Sequence, residues 1–146
     1  MSLMKDLLER PFDQAPASKY TAMNGFIYLG IGATFVVWPG VVQTVLRDAA
    51  FVGNEAALFR VVGMALMVIG WLYLFGGLSG GRRIVAASIL DRWLLVPVVL
   101  VPLAIAGVFP HTLLAMAVLD PTLALGAWLL LRRSDRPRSH SAAVQQ

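Results

Sequence analysis

The sequence contains no cysteine and only two histidines, His111 and His140. The lack of cysteine excludes disulfides, thiolate nucleophiles, iron–sulfur clusters and cysteine-ligated zinc. Two histidines alone do not make a metal site, so we expect neither a metal nor a cofactor. Charged residues are only 14% of the chain, against about 25% in soluble proteins. This shortage of charge indicates that the chain is not an ordinary soluble domain.

The sequence contains four long apolar runs. They cover residues 22–38, 56–75, 85–108 and 112–131. Each is close to the ~20 residues that a helix needs to cross the hydrocarbon core of a bilayer. Their continuity excludes the alternating pattern of barrel strands. We therefore predict an all-α protein whose residues 21–131 form a bundle of four transmembrane helices. No small-residue cleavage site follows the first run, so we interpret it as a retained span rather than a signal peptide.

The segments outside these runs predict smaller features. Residues 1–20 are expected to be a cytoplasmic segment that forms either a short helix in the headgroup layer or a frayed terminus. In residues 41–50, between spans one and two, apolar positions recur with a helical period, which predicts a short interfacial helix. Residues 132–146 are polar, and we expect them to form a cytoplasmic tail.

Basic residues collect on one side of the predicted bundle, whereas the loops on the other side contain only Arg47. The positive-inside rule therefore predicts a multi-pass protein of a bacterial-type inner membrane, with both termini in the cytoplasm. No base-stacking aromatic residues alternate with the arginines, so we expect membrane lipid and not nucleic acid as a partner. The basic residues on the cytoplasmic side are Lys5, Arg10, Lys19, Arg82, Arg83, Arg132, Arg133, Arg136 and Arg138.

Asp120 is the most unusual residue of the apolar runs. An isolated carboxylate in the middle of a span costs at least about 2.5 kcal/mol, so we expect Asp120 to face the bundle, to be protonated or to have a partner. Ala117, Ala124 and Ala127 share its helical face and would allow close packing. Arg60, which lies less deeply in span two, is the natural counter-ion. We predict that Arg60 either reaches inward to a buried ion pair with Asp120 or reaches outward to lipid headgroups.

Three residues share the helical face of Arg60 on span two. They are Met64, Met67 and Trp71, at offsets that bring them under Arg60. Because methionine adapts to irregular apolar partners, this face lines either a hydrophobic pocket or the bundle core.

Further polar candidates lie on spans one and three. Asn24 and Tyr28 share a face of span one and either bind a polar group or hydrogen-bond to another helix. Asp91 and Arg92 are adjacent in span three, near its cytoplasmic end. They either form a proton or headgroup site, or act separately, with Arg92 reaching to the interface and Asp91 pairing locally.

The chain loosely resembles small DoxX-like bacterial membrane proteins. The resemblance rests on its length, its four spans, the arginine that opens span two and the acidic residue of span four, and it covers the hydrophobic core. Because some members of that broad group are linked to quinone-coupled oxidation, the resemblance implies partner subunits. It transfers no catalytic residue to this sequence.

Three functions remain open at this stage. The leading hypothesis is a non-enzymatic structural or accessory subunit, self-associating or part of a larger membrane complex, because no cofactor motif or soluble domain is present. The second is a carrier or binder of a small hydrophobic molecule, or a proton-coupled transporter that uses Arg60 and Asp120. The third is a lipid- or quinone-linked enzyme with Asp120 or Asp91 as acid or base. One carboxylate is not an active site, so the sequence does not favour an enzyme.

Overall fold

Five α-helices make up most of residues 15–135, the part of the chain that this computed structural model describes. The long helices are each 22 to 26 residues and are apolar enough to cross a membrane. No strand occurs within the described range. The prediction of an all-α bundle with four spans is therefore confirmed, and the protein is a multi-pass membrane protein. The helices are α1 (Pro16–Val37), α2 (Val41–Thr44), α3 (Glu55–Leu78), α4 (Arg82–Ile105) and α5 (Pro110–Asp135).

The ends of these helices differ in part from the prediction. Helix α1 begins at Pro16, ahead of the apolar run, because proline suits the first position of a helix. The short helix between spans one and two is present, but it covers only Val41–Thr44 of the predicted ten-residue pattern. Arg47 has a positive φ of 61°, so the chain leaves the helical path there. Residues 1–14, with the predicted N-terminal interfacial helix, and residues 136–146 of the predicted tail lie outside the described residues.

Helices α1 and α3 form the most extensive interface of the bundle, and two glycine pairs allow it. A Cβ atom at Gly25 would lie 2.6 Å from the carbonyl oxygen of Gly70, and one at Gly70 would lie 2.7 Å from the carbonyl oxygen of Gly25. Gly32 and Gly63 face each other in the same way, at 2.5 and 2.7 Å. Only glycine fits at these four positions without moving the helices apart, and such close backbone approach is a usual source of helix association in membranes.

Helices α4 and α5 form an antiparallel hairpin that packs against α1 through α5. Val85 and Ile89 of α4 meet Ala124 and Ala127 of α5 in a buried cluster that also contains Ala17 of α1. The small-residue face predicted beside Asp120 is therefore an interhelical contact. Helices α3 and α4 touch only slightly, although they are consecutive spans. The bundle consequently has one poorly filled seam, between α3 and α4.

The first turn of α5 is capped by Asp48, which lies in the loop between α2 and α3. The backbone amides of His111 and Thr112 donate to the two Asp48 carboxylate oxygens at 3.0 and 2.9 Å. The Thr112 hydroxyl donates to the same carboxylate, and the His111 ring Nδ1 lies 3.0 Å from it. Burial opposes ionisation of Asp48, but the hydrogen bonds from Thr112 and His111 outweigh it and hold the pKa below its ordinary value of 3.8.

This cap predicts a stability that depends on pH. Because the folded pKa is depressed, Asp48 stabilises the protein above pH 3.8, and this contribution is lost as the pH falls through the folded pKa. We expect Asp48→Ala to lower the free energy of unfolding by about 1 kcal/mol near neutral pH, the typical value of a helix cap. The difference between the two proteins should shrink once the pH falls below 3.8. Chemical unfolding in mixed micelles, followed by tryptophan fluorescence across that range, measures it.

His111 is the other titratable group in contact with Asp48 among the residues described. The same comparison in a His111→Gln background therefore serves as the control. If the unaltered protein and the Asp48→Ala variant differ by a constant amount down to the lowest pH, the capping role of the ionised carboxylate is contradicted.

Candidate functional site

Five polar side chains from the four long helices converge inside the bundle. They are Tyr28 of α1, Tyr73 of α3, Asp91 and Arg92 of α4, and Asp120 of α5, and we call them the polar cluster. At 1.5 Å per residue, Tyr28 lies about 18 Å from the start of α1, Asp91 about 14 Å from the start of α4 and Asp120 about 15 Å from the start of α5. Tyr73 lies about 8 Å from the end of α3. The cluster therefore lies inside the spans, between their middle and the ends where α3 stops and α4 begins.

Each carboxyl group of the cluster accepts a hydrogen bond from a tyrosine. The Tyr28 hydroxyl donates to Asp120 Oδ1, and the Tyr73 hydroxyl donates to Asp91 Oδ2 at 3.3 Å. The two tyrosine rings meet edge to face, with their centroids 5.5 Å apart and their planes at 82°. These contacts join α1 to α5 and α3 to α4, so all four spans are linked at one depth.

Arg92 provides the positive charge of the cluster and is only 1% exposed. Its guanidinium carbon lies 4.3 Å from the centroid of the Tyr73 ring and 5.1 Å from that of Tyr28. Aromatic faces attract cations at such distances. None of the three guanidinium nitrogens has a hydrogen-bond partner of normal geometry among the described residues. Arg92 is thus held against the tyrosine rings and is not paired directly with either aspartate.

Asn24 lies one helical turn from Tyr28 on the same face of α1 and is completely buried. Neither its side-chain oxygen nor its nitrogen has a partner within the described part of the chain. A buried amide without partners costs free energy, and native structures contain few of them. The polar interior of the bundle is therefore not fully satisfied by its own side chains.

A cavity of about 470 Å³, which we call the α3–α4 cavity, lies in the loosely packed seam between α3 and α4. Tyr28, Tyr73, Asp91 and Asp120 line its inner end, and Glu55 lies at its outer end, where α3 begins. Apart from Thr112, the walls between them are apolar side chains from all four long helices and from the loop before α5.

The rims of the α3–α4 cavity are exposed apolar side chains. Leu58 and Val62 lie on the α3 side, and Leu95 and Val99 lie on the α4 side. A cavity with such rims opens sideways, toward the hydrocarbon that surrounds a spanning bundle. A molecule dissolved in the bilayer would therefore reach the cavity without crossing water.

The predicted ion pair between Arg60 and Asp120 is wrong. The Arg60 side chain is exposed, and its Nε donates to the carbonyl oxygen of Val36 at 3.2 Å. Helix α3 packs on α1, so Arg60 lies next to the last carbonyl groups of α1, where basic side chains bind favourably. Asp120 is instead held by Tyr28 and lies near Arg92.

The predicted face of α3 with Met64, Met67 and Trp71 does not line the α3–α4 cavity. Met64 and Trp71 point outward and are 56% and 50% exposed, and Met67 packs beside Gly32. Glycines occupy the face of α3 that meets α1, so the large side chains are displaced from it. Trp71 borders a second, more open cavity between the last turns of α3 and the first turns of α4.

The remaining candidates fall in or beside the polar cluster. Tyr28 hydrogen-bonds to another helix, as one of its two predicted roles requires, and Asp91 pairs with Tyr73. The prediction that Arg92 reaches the interface is wrong, since the residue is buried. Helix α4 begins at Arg82, which places Arg92 about 15 Å inside the span and out of easy reach of the headgroups. That depth, readable from the sequence, was the signal that could have identified it.

Tyr73 was not among the sequence candidates, because nothing separates it from the aromatic residues around it in an apolar run. Its role comes from the partner helix, which places Asp91 and Arg92 beside it. Chemically, the cluster offers carboxylate acceptors and aromatic faces at the end of an apolar cavity. No group of three or more potential metal ligands occurs in the part of the chain that the structure covers.

Comparison with known proteins identifies no relative of this chain. No family model matches the chain, and searches of curated proteins and of solved structures find no significant match. The α3–α4 cavity and the polar cluster are therefore the features of this protein that indicate a function.

Proposed function

We propose that this membrane protein binds or carries a small apolar molecule in the α3–α4 cavity. The observation that supports this function best is a cavity with apolar walls whose inner end is formed by the polar cluster. Its volume of about 470 Å³ falls within the about 300–1,000 Å³ of ordinary ligand sites. Such sites combine apolar walls with a few polar groups that orient the ligand, and this cavity has both.

The arrangement of the helices supports the same function. An unfilled seam in a bundle loses the packing contacts that a filled one would have. A ligand that occupies the seam supplies these contacts, and the sideways opening provides a route from the bilayer. Other interpretations receive less support. Outward apolar side chains suit lipid and a partner helix equally, so they do not favour an accessory subunit.

Two neighbouring valines of α3 allow a matched test of this proposal. Val62 lines the α3–α4 cavity, whereas Val61 is outside it, and both are exposed. We expect Val62→Trp to fill the cavity and Val61→Trp to leave it open. The readout is the unfolding temperature in detergent micelles with a panel of apolar compounds. A compound at about a hundredfold above its Kd should stabilise the folded protein by about 2.7 kcal/mol.

Compounds that bind in the cavity should raise the unfolding temperature of the unaltered protein and of Val61→Trp but not of Val62→Trp. The comparison subtracts the effect of compounds on the micelle itself, which is common to all three proteins. Equal responses of the two tryptophan variants across the whole panel would reject binding in this cavity.

We also propose that the protein lies in an inner-type cytoplasmic membrane with both termini in the cytoplasm. The supporting observation is that the start of α4 and the end of α5 carry the arginines, whereas the opposite loops carry only Arg47. Since the chain has no cysteine, single cysteine variants can be labelled without interference.

A cysteine at Ser79, in the turn between α3 and α4, should react with an impermeant maleimide only after the cytoplasmic side is opened. A cysteine at the exposed Ala50, in the loop between α2 and α3, should react in intact cells. Labelling of Ser79→Cys in intact cells, with Ala50→Cys protected, would reverse the proposed orientation.

A further inference from the structure

The surface that a ligand meets in the α3–α4 cavity carries charge of one sign only. Its acidic residues are Glu55, Asp91 and Asp120, and no lysine, arginine or histidine of the described chain lines it. Arg92 is close in space but is 1% exposed and lies against the Tyr28 and Tyr73 rings, outside the cavity lining. A bound molecule therefore contacts the carboxylates and the tyrosine side chains and does not contact the guanidinium.

The charges of the polar cluster do not balance. It contains two carboxyl groups and one guanidinium, so one negative charge is left over when Asp91 and Asp120 are both ionised. Among the described residues, no salt bridge joins Arg92 to either aspartate, and none of its guanidinium nitrogens has a hydrogen-bond partner of normal geometry. An uncompensated charge at this depth is costly. A proton or one monovalent cation restores neutrality.

Along the lining of the cavity, the hydrogen bonds of the cluster leave acceptors and not donors for a ligand, because the unused donors of Arg92 lie outside that lining. Tyr28 and Tyr73 have already donated their hydroxyl protons to Asp120 Oδ1 and Asp91 Oδ2. The second oxygen of each carboxylate remains an acceptor. Arg92 already lies against the Tyr28 and Tyr73 rings. The aromatic rings that remain for a cation are those of the phenylalanines along the wall, such as Phe35.

We propose that the ligand is a lipophilic monovalent cation, with an apolar body in the α3–α4 cavity and an ammonium or similar onium head at Asp91 and Asp120. The inference rests on the proposed function and specifies its substrate class. Aliphatic walls exclude a hydrated metal ion, the carboxylates disfavour an anion, and the shape of the cavity suits a body of drug-like size.

Two probes of matched shape test the role of charge. Benzyltrimethylammonium and neopentylbenzene differ in one atom, a positively charged nitrogen in place of a carbon. Titrated against the unfolding temperature in micelles, the cation should bind at least about tenfold more tightly than its neutral isostere. Val62→Trp should abolish the response to both probes, and Val61→Trp should keep it.

Three acid-to-amide variants locate the charge that matters. Asp91→Asn and Asp120→Asn should each weaken binding of the cation by about tenfold and leave the neutral isostere unaffected. Glu55→Gln is the matched control, because it removes an equal charge at the outer end of the same cavity, and it should have a much smaller effect.

A chemical readout on the unaltered protein covers the case in which an amide variant fails to fold. Dicyclohexylcarbodiimide modifies carboxyl groups in apolar surroundings, and peptide mass spectrometry measures each site. Benzyltrimethylammonium should slow the modification of Asp91 and Asp120, and neopentylbenzene should not. If the neutral isostere binds as tightly as the cation and protects equally, the cation specificity is wrong while the cavity function stands. If Val62→Trp leaves the shift in unfolding temperature unchanged for both probes, both proposals fail.

Discussion

A guanidinium held in the middle of an apolar bundle is the constraint on which the rest of this structure depends. Arg92 is 1% exposed, at a depth where ionised side chains are rare and need compensation. The compensation comes from all four long helices: tyrosine faces from α1 and α3, and carboxyl groups from α4 and α5. The four spans are thus held in place around the charge of Arg92.

The helix packing explains why the polar cluster ends in a cavity. Glycine pairs bring α1 and α3 into backbone contact, and alanines allow α4 and α5 to pack closely. Helix α5 joins the two pairs by packing on α1. Little is left to draw α3 onto α4, and the seam between them stays open above the cluster. The same small residues that stabilise the two pairs therefore create the space that we assign to a ligand.

The sequence predicts the fold well because the length and apolarity of a span depend on local composition. In lipid, a long apolar segment satisfies its backbone hydrogen bonds by forming a helix. Asp120 and its alanine face, together with Tyr28, were recognisable because polar groups stand out in an apolar run. The partner of Asp120 was not recognisable from the sequence. Depth suggested Arg60, but which helices touch is decided by Gly25, Gly63 and Gly70, whose effect is visible only when two helices are placed together. Tyr73 was missed for the same reason.

Arg92, and not Arg60, is the cation coupled to Asp120 in this structure. Two double-mutant cycles in micelles test this most directly, with Arg92→Leu and Arg60→Leu each combined with Asp120→Leu. Arg92→Leu alone should lower the free energy of unfolding by at least about 2 kcal/mol, because it removes the desolvated contacts of the guanidinium with the two tyrosine rings and the cation near Asp120. Adding Asp120→Leu should recover part of that loss, with an interaction energy of about 0.5–3 kcal/mol. The Arg60 cycle should be additive within about 0.5 kcal/mol, as for sites that share no contact. Coupling of Asp120 to Arg60, with an additive Arg92 cycle, would contradict this assignment.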